Sequence, residues 1–99
     1  MKKGTRVGAI LSAKGDTIHL FGYGVYVGDE IPPDEGGSSM TTMLHEDGMT
    51  NPKIVLDGGD VVWGCECWWG PEAEIQREVS KHKNVVQARV AEARRIGTS

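Results

Sequence analysis

The chain of 99 residues has room for one domain with a modest core, and its 38% hydrophobic and 25% charged residues are ordinary for a globular protein. Its formal net charge of −3 argues against the phosphate backbone of a nucleic acid as a partner. No apolar run approaches the roughly 20 residues of a membrane-spanning helix, and the apolar segment 7–11 is shorter than the core of a secretion signal. We therefore expect one cytoplasmic domain over residues 1–99, without a membrane or nucleic-acid partner.

The first 30 residues predict a β-hairpin with a strongly curved second strand. The segment "AKGD" is a turn signal between an alternating stretch and a stretch rich in β-branched and aromatic residues. With "AKGD" as the turn, Leu11 pairs with Ile18 on the core face, and Arg6 lies over Tyr23 on the other face. A bulge at Gly15 is the alternative, which would shift this register by one residue and exchange the faces of one strand. Glycines that interrupt the second strand favour the bends that a small barrel needs.

Residues 29–40 predict a mobile acidic loop, because prolines and glycines are interspersed with acidic residues there. A solvated connection is the ordinary interpretation of such a stretch. The alternative is a docking surface, with which the protein would inhibit a basic host protein. The carboxylates of this surface are Asp29, Glu30, Asp34 and Glu35.

A second hairpin is predicted in "NPKIVLDGGDVVWGCECWWG", where Gly58 and Gly59 suit a two-residue turn. This turn pairs Leu56 with Val61 and directs one nearly continuous apolar face toward the core. That face consists of Ile54, Leu56, Val61, Trp63, Cys65, Cys67 and Trp69. Glu66 and Trp68 lie on the opposite face.

The segment 71–96 predicts one amphipathic helix. Pro71 suits the first helical position, and acidic residues near the start and arginines near the end complement the helix dipole. The segment "KHKN" is a weak point at which the helix could kink or divide. These elements predict an α+β fold: a curved antiparallel sheet of four or five strands within residues 4–70, of the SH3-like partial-barrel kind, followed by this C-terminal helix. A helix of that length exceeds a small sheet, so we expect a homodimer through the helix or an edge strand.

Both cysteines and all three tryptophans lie within "WGCECWW". Cys65 and Cys67 on one strand would point the same way and could share a zinc ion, which makes a zinc-stabilised structural module one hypothesis. The histidines show no spacing that completes such a site, so the ordinary interpretation is two small buried residues. We expect no metal and no cofactor.

No nucleophile–base set stands out by spacing, so we expect a non-catalytic binding protein rather than an enzyme. Trp68 presents two alternatives: a core residue if the C-terminal helix covers its face, or a stacking platform beside an acidic acceptor if the face is open. The second alternative suits a small nucleotide-like ligand. Its predicted binding residues are Arg6, Tyr23, Tyr26, Glu66 and Trp68, with the arginine meeting a phosphate.

The stretches "GYGVYVGDEIPP" and "NPKIVLDGGDVVWGCECWWGPE" resemble a pattern found in small uncharacterised proteins of bacteria and their phages. The resemblance covers about a third of the chain, and its most specific part is "WGCECWWGPE". It implies a context and no chemistry: small acidic proteins of this type are often accessory or counter-defence factors in the host cytoplasm. Such factors bind a host protein or sequester a nucleotide signal.

Overall fold

The computed structural model describes residues 1–33 and 39–97 as a small α+β fold with a mostly antiparallel sheet. Its strands are β1 (Arg6–Lys14), β2 (Thr17–Glu30), β3 (Asn51–Leu56), β4 (Val61–Trp63), β5 (Trp68–Pro71) and β6 (Asn84–Gln87). Its helices are α1 (Ser39–Asp47), a 3-10 turn (Gly64–Glu66), α2 (Glu72–Ser80) and α3 (Val90–Gly97). None of the described helices is both long and apolar enough to cross a membrane.

The long strand β2 organises the sheet, whose order is β4-β3-β2-β1-β5. One edge of β2 pairs with β1, while its other edge pairs with parallel β6 at residues 17–20 and with antiparallel β3 at residues 24–30. Gly22 lies between the two pairings and Gly28 within the pairing with β3. Their φ angles of +131° and +113° are ones that only glycine adopts without strain. These glycines let one strand serve two partners at the same edge.

The two faces of the sheet are covered by different helices. On one face, Ile75 of α2 packs with Ile10 and Ile18, and it approaches Gly8 so closely that an added Cβ would lie 2.6 Å from its Cγ2. On the other face, α3 and the residues before it cover the larger cluster. That cluster comprises Val7, Ala9, Phe21, Tyr26, Ile54, Leu56, Val62, Ala88 and Val90.

The register of the first hairpin differs from the prediction. Lys14 pairs with Thr17, so the turn consists of two residues, with Gly15 at φ +58°. Irregular pairing on both sides of Ile10 then rotates the strand, so Ile10 is fully buried and Leu11 is 39% exposed. The expected core pair of Leu11 with Ile18 is therefore wrong.

The second hairpin forms where it was predicted, but it is shifted by one residue. Ile54 pairs with Val62, because the amide of Leu56 bonds the carbonyl of Asp60 and the turn contains three residues instead of two. A shift of one residue exchanges the faces of a strand, so Val62 is buried and Val61 only half-buried. The strand also ends at Trp63, and the 3-10 turn that follows exposes Cys65, which was predicted to lie in the core.

The predicted single helix over 71–96 is wrong. It is divided near "KHKN", as that weak point suggested, into α2 and α3 with the strand β6 between them. The Ser80 hydroxyl donates to the carbonyl of Arg77, and the amides of Lys81 and His82 donate to the last turn, which ends α2. The β-branched Val85 and Val86 then pair with β2 rather than continue a helix.

The expected acidic loop over 29–40 also changes its bounds. Asp29 and Glu30 belong to β2, and α1 begins at Ser39. Asp34 and Glu35 lie outside the described residues.

Candidate ligand-binding cleft

The predicted ligand residues do not meet in one place. Arg6 lies at the start of β1, where its guanidinium donates to both carboxylate oxygens of Asp57 at 2.7 and 2.8 Å and to Glu72 at 2.8 and 3.0 Å. These bonds raise the pKa of Arg6, and in turn they lower the pKa of Asp57. The arginine that was expected to meet a phosphate thus already binds two carboxylates.

The two tyrosines lie on opposite faces of β2. Tyr23 packs beside the cluster under α2, and its partial burial raises the pKa of its phenol. The ring of Tyr26 is buried on the other face and stacks on Trp69 at 5.5 Å between ring centroids. Its hydroxyl donates to Asp29 at 2.7 Å, which raises the phenol pKa. One ligand therefore cannot contact both rings in this arrangement.

Glu66 holds the 3-10 turn and α3 together. Its side chain is only 6% exposed, and it accepts bonds from the amide of Trp63 at 3.1 Å and from Arg94 at 2.8 and 2.9 Å. Arg94 also donates to the carbonyl of Val61 at 3.0 Å. The carboxylate that was predicted to accept a bond from a ligand is thus fully engaged within the protein.

Trp68 falls between its two predicted alternatives. It pairs with Ile10 at the start of β5, on the face over which α2 packs, yet it remains 53% exposed. An exposed indole at the edge of the sheet is available to a partner. Its predicted companions Tyr26 and Glu66 point into the other cluster and the 3-10 turn, so it stands apart from them.

Both cysteines are free thiols with raised pKa values. Burial, followed by the Glu66 carboxylate, raises the pKa of Cys67 to about 12, and its Sγ donates to the carbonyl of Trp63 at 3.4 Å. Burial and the same carboxylate raise the pKa of Cys65. Cysteine binds a metal ion as the thiolate, which these raised pKa values disfavour. Residues 1–33 and 39–97 contain no cluster of three or more His, Cys, Asp or Glu side chains that could hold a metal ion.

The first two carboxylates of the predicted docking loop are also used internally. Asp29 accepts the bond from Tyr26, and Glu30 forms an ion pair with Lys53 at 3.4 Å. Both residues are nevertheless exposed, and the other two carboxylates lie outside the described part of the chain.

A cleft of about 350 Å³ opens instead where the end of β1 and the start of β2 meet β6 and the beginning of α3. This volume lies within the range of small-molecule sites. Apolar and polar side chains both line it. They are Leu11, Ser12, His19, Val86, Gln87, Ala88, Arg89, Glu92 and Ala93.

The charged groups of the cleft are not engaged elsewhere. Within the described residues, the side chains of Arg89, His19 and Glu92 form no hydrogen bond or ion pair. Gln87 is different, because its side-chain amide donates to the carbonyls of Leu20 and Phe21 and fixes the wall of the cleft. The cleft therefore presents a cation, an imidazole and a carboxylate around an apolar floor.

Ser12 and His19 occupy paired positions on β1 and β2. No hydrogen bond joins their side chains within the described residues. They stand as polar groups that a ligand could bridge.

A second cavity of about 340 Å³ lies beside the β3–β4 turn. Asp57 and Asp60 line it together with Tyr23 and Leu56. Arg6 already neutralises Asp57, so this cavity offers an acidic rim and no cation for a phosphate.

The cleft was missed because its residues come from two segments about 70 positions apart. The one local feature that could have predicted β6, and with it the cleft, is the pair Val85-Val86, because adjacent β-branched residues are typical of a strand. Comparison with protein-family models, curated proteins and solved structures gave no match to this chain.

Proposed function

We propose that this protein is a non-catalytic binding protein that holds a small anionic, nucleotide-like ligand in the cleft between the sheet and α3. The observation that carries this proposal is the convergence of unengaged Arg89, His19 and Glu92 around the apolar side chains of Leu11 and Val86. This proposal moves the predicted ligand away from Trp68, which does not line the cleft.

Each part of a nucleotide has a counterpart in the cleft. The guanidinium of Arg89 suits a phosphate, since it can donate two parallel bonds. The exposed side chains of Leu11 and Val86 offer apolar surface to a planar base. The carboxylate of Glu92 can accept a bond from an exocyclic amine, which favours an aminopurine or aminopyrimidine over its oxo counterpart.

We further propose that the cleft belongs to an SH3-like, partly open barrel. In support, strands β1 to β5 follow the order β5-β1-β2-β3-β4, and a 3-10 turn connects β4 with β5. The strand β6 and helix α3 are additions to this barrel, and the cleft lies where they join it. A binding role without turnover fits the sequestering, counter-defence context that the sequence resemblance implies.

Titration calorimetry with adenosine 5′-monophosphate and inosine 5′-monophosphate tests the proposal. We expect saturable binding of the first and weaker binding of the second, because only adenine has an exocyclic amine for Glu92. Arg89→Ala should weaken binding by about 10- to 100-fold, the loss of one or two charge-assisted bonds. The matched control is Arg77→Ala, an exposed arginine of α2 outside the cleft. Equal effects of the two substitutions, or no binding of either nucleotide at millimolar concentration, would refute the site.

A further inference from the structure

Strand β6 presents an apolar edge. All four of its residues are exposed, with Val85 at 52% and Val86 at 42%. Within the described residues β6 pairs with β2 alone, at one of its two edges. An exposed strand edge with apolar side chains is a template for another strand.

The main-chain groups of the outer edge follow from the pairing of the inner edge. The amides of Asn84 and Ala88 donate to the carbonyls of Asp16 and Leu20, both at 2.9 Å. Because successive residues of a strand alternate in direction, Val85 and Gln87 direct their N–H and C=O groups away from β2. Two donors and two acceptors therefore face outward along a stretch of three residues.

The charges around this edge select the kind of strand that fits it. The segment 81–89 carries three cations and no carboxylate, in a chain with a net charge of −3. Lys83 and Arg89 flank β6 at its two ends, and neither side chain forms a hydrogen bond or ion pair within the described residues. In an antiparallel pair centred on Val86, a second copy of this chain would bring Lys83 opposite Arg89 twice. Such like-charged pairs are unfavourable, whereas a strand with carboxylates at both ends complements the edge.

We propose that β6 is the docking edge for an extended segment of a partner protein, which adds to the sheet antiparallel to β6. The segment carries two adjacent apolar residues that face Val85 and Val86, and one carboxylate near each of Lys83 and Arg89. Antiparallel addition is chosen because its ladder is the more stable per residue. The inference rests on the strand edge and not on a ligand in the cleft, although Val86, Gln87 and Arg89 border both.

The probe is the peptide acetyl-ETTVVTE-amide, in which the two glutamates lie opposite Arg89 and Lys83 and the two valines opposite Val86 and Val85. Its matched control is acetyl-KTTVVTK-amide, which has the same strand but the opposite charge. We expect the acidic peptide to shift the backbone amide resonances of Val85 and Gln87 saturably up to about 2 mM, a range that detects a weak complex. The basic peptide should bind at least about tenfold more weakly.

Val85→Pro removes a hydrogen-bond donor at the outer edge of β6 and leaves the bonds of the inner edge to β2 in place. Proline removes the outward donor of residue 85, whereas the bonds to β2 come from its neighbours, so the fold should persist and peptide binding should be lost. Val85→Thr keeps the donor and should keep the binding. If Val85→Pro does not fold, methylation of the third and fifth amide nitrogens of the acidic peptide breaks the same ladder on the unaltered protein.

Three results would overturn the proposal. They are equal binding of the two peptides, binding that survives both Val85→Pro and amide methylation, and resonance shifts that avoid β6. Sedimentation without peptide tests the other possible occupant of this edge, a second copy of the chain. A dimer that Val85→Pro dissociates would assign the edge to that second copy instead of a partner protein.

Discussion

The buried pair of Glu66 and Arg94 should contribute more to stability than any exposed charge of this protein. Substitution Arg94→Met retains most of the aliphatic side chain but removes the two bonds to Glu66 and the bond to the carbonyl of Val61. Among the described residues, the Glu66 carboxylate, 6% exposed, then keeps only the amide of Trp63 as a donor. Removal of one partner from a buried pair typically costs 3–5 kcal/mol.

The lower end of that range applies, because Arg94 is itself 21% exposed and water can reach part of the vacated space. We expect Arg94→Met to lower the free energy of unfolding by about 3 kcal/mol, a large share of the roughly 5–15 kcal/mol that stabilises a domain of this size. Urea unfolding followed by tryptophan fluorescence should show a midpoint lower by about 1.5 M, for a slope near 2 kcal/mol per M. Glu66→Gln in the same chain should restore part of the loss, because no unpaired charge then remains.

The control is Lys81→Met, which removes an exposed ion pair to Glu78 from a lysine side chain that is 69% exposed. Such pairs contribute about 0–1 kcal/mol. If Arg94→Met and Lys81→Met shift the urea midpoint equally, or if Glu66→Gln restores nothing, the pair does not hold α3 as argued.

Three further predictions concern packing and the thiols. Gly24→Ala would place its Cβ against the backbone of β3 and should lower the free energy of unfolding by about 3 kcal/mol or prevent folding. The control Gly58→Ala, whose Cβ would enter open space, should change the urea midpoint little. Similar urea midpoints for the two variants would be inconsistent with the close approach of β2 to β3. Trp69→Ala should lower the free energy of unfolding, measured by thermal unfolding, by about 3 kcal/mol, because it removes a partly buried ring from the core. Trp68→Ala should lower it by less than about 1 kcal/mol, because this indole is 53% exposed. The reverse order would show that Trp68 is a core residue. The pKa of Cys67 is raised to about 12 in the folded protein, so less than about one thousandth of this thiol is ionised at pH 8 and its alkylation should be far slower than in urea. Fast labelling of the native protein at pH 8 would contradict the burial of this thiol. Because the thiol ionises more readily in the unfolded state, its contribution to the free energy of unfolding should be present below about pH 9 and lost as the pH rises toward 12.

Local pattern was enough to predict both hairpins, the start of the C-terminal helix and its weak point. It was not enough for the register, because the register depends on how many residues the turn contains. The sequence "DGGD" suits a two-residue turn at Gly58 and Gly59, yet Leu56 bonds Asp60 and includes Asp57 in the turn. That one residue decides whether Val61 or Val62 is buried.

Long-range pairing explains the remaining differences. The segment "NVVQ" lies between helix-forming residues, and only its pairing with residues 17–20 of β2 makes it a strand. The candidate cleft needs that same pairing, since it joins Leu11 and His19 to Val86 and Arg89. Of the residues predicted to bind a ligand, Arg6 and Glu66 were chosen for their chemistry. Their carboxylate and guanidinium partners lie far away in the sequence and could not be seen locally.

The parallel pairing of β6 with β2 also dictates an order of events during synthesis. Strands β1 to β5 are contiguous through residue 71 and can form their antiparallel ladders as the chain leaves the ribosome. The residues that close the larger cluster, Ala88 and Val90, are translated later, and they reach the start of β2 only by a contact that spans nearly 70 positions. Contacts of that separation form slowly. We therefore expect one apolar face of the sheet to stay open until Ala88 and Val90 have docked.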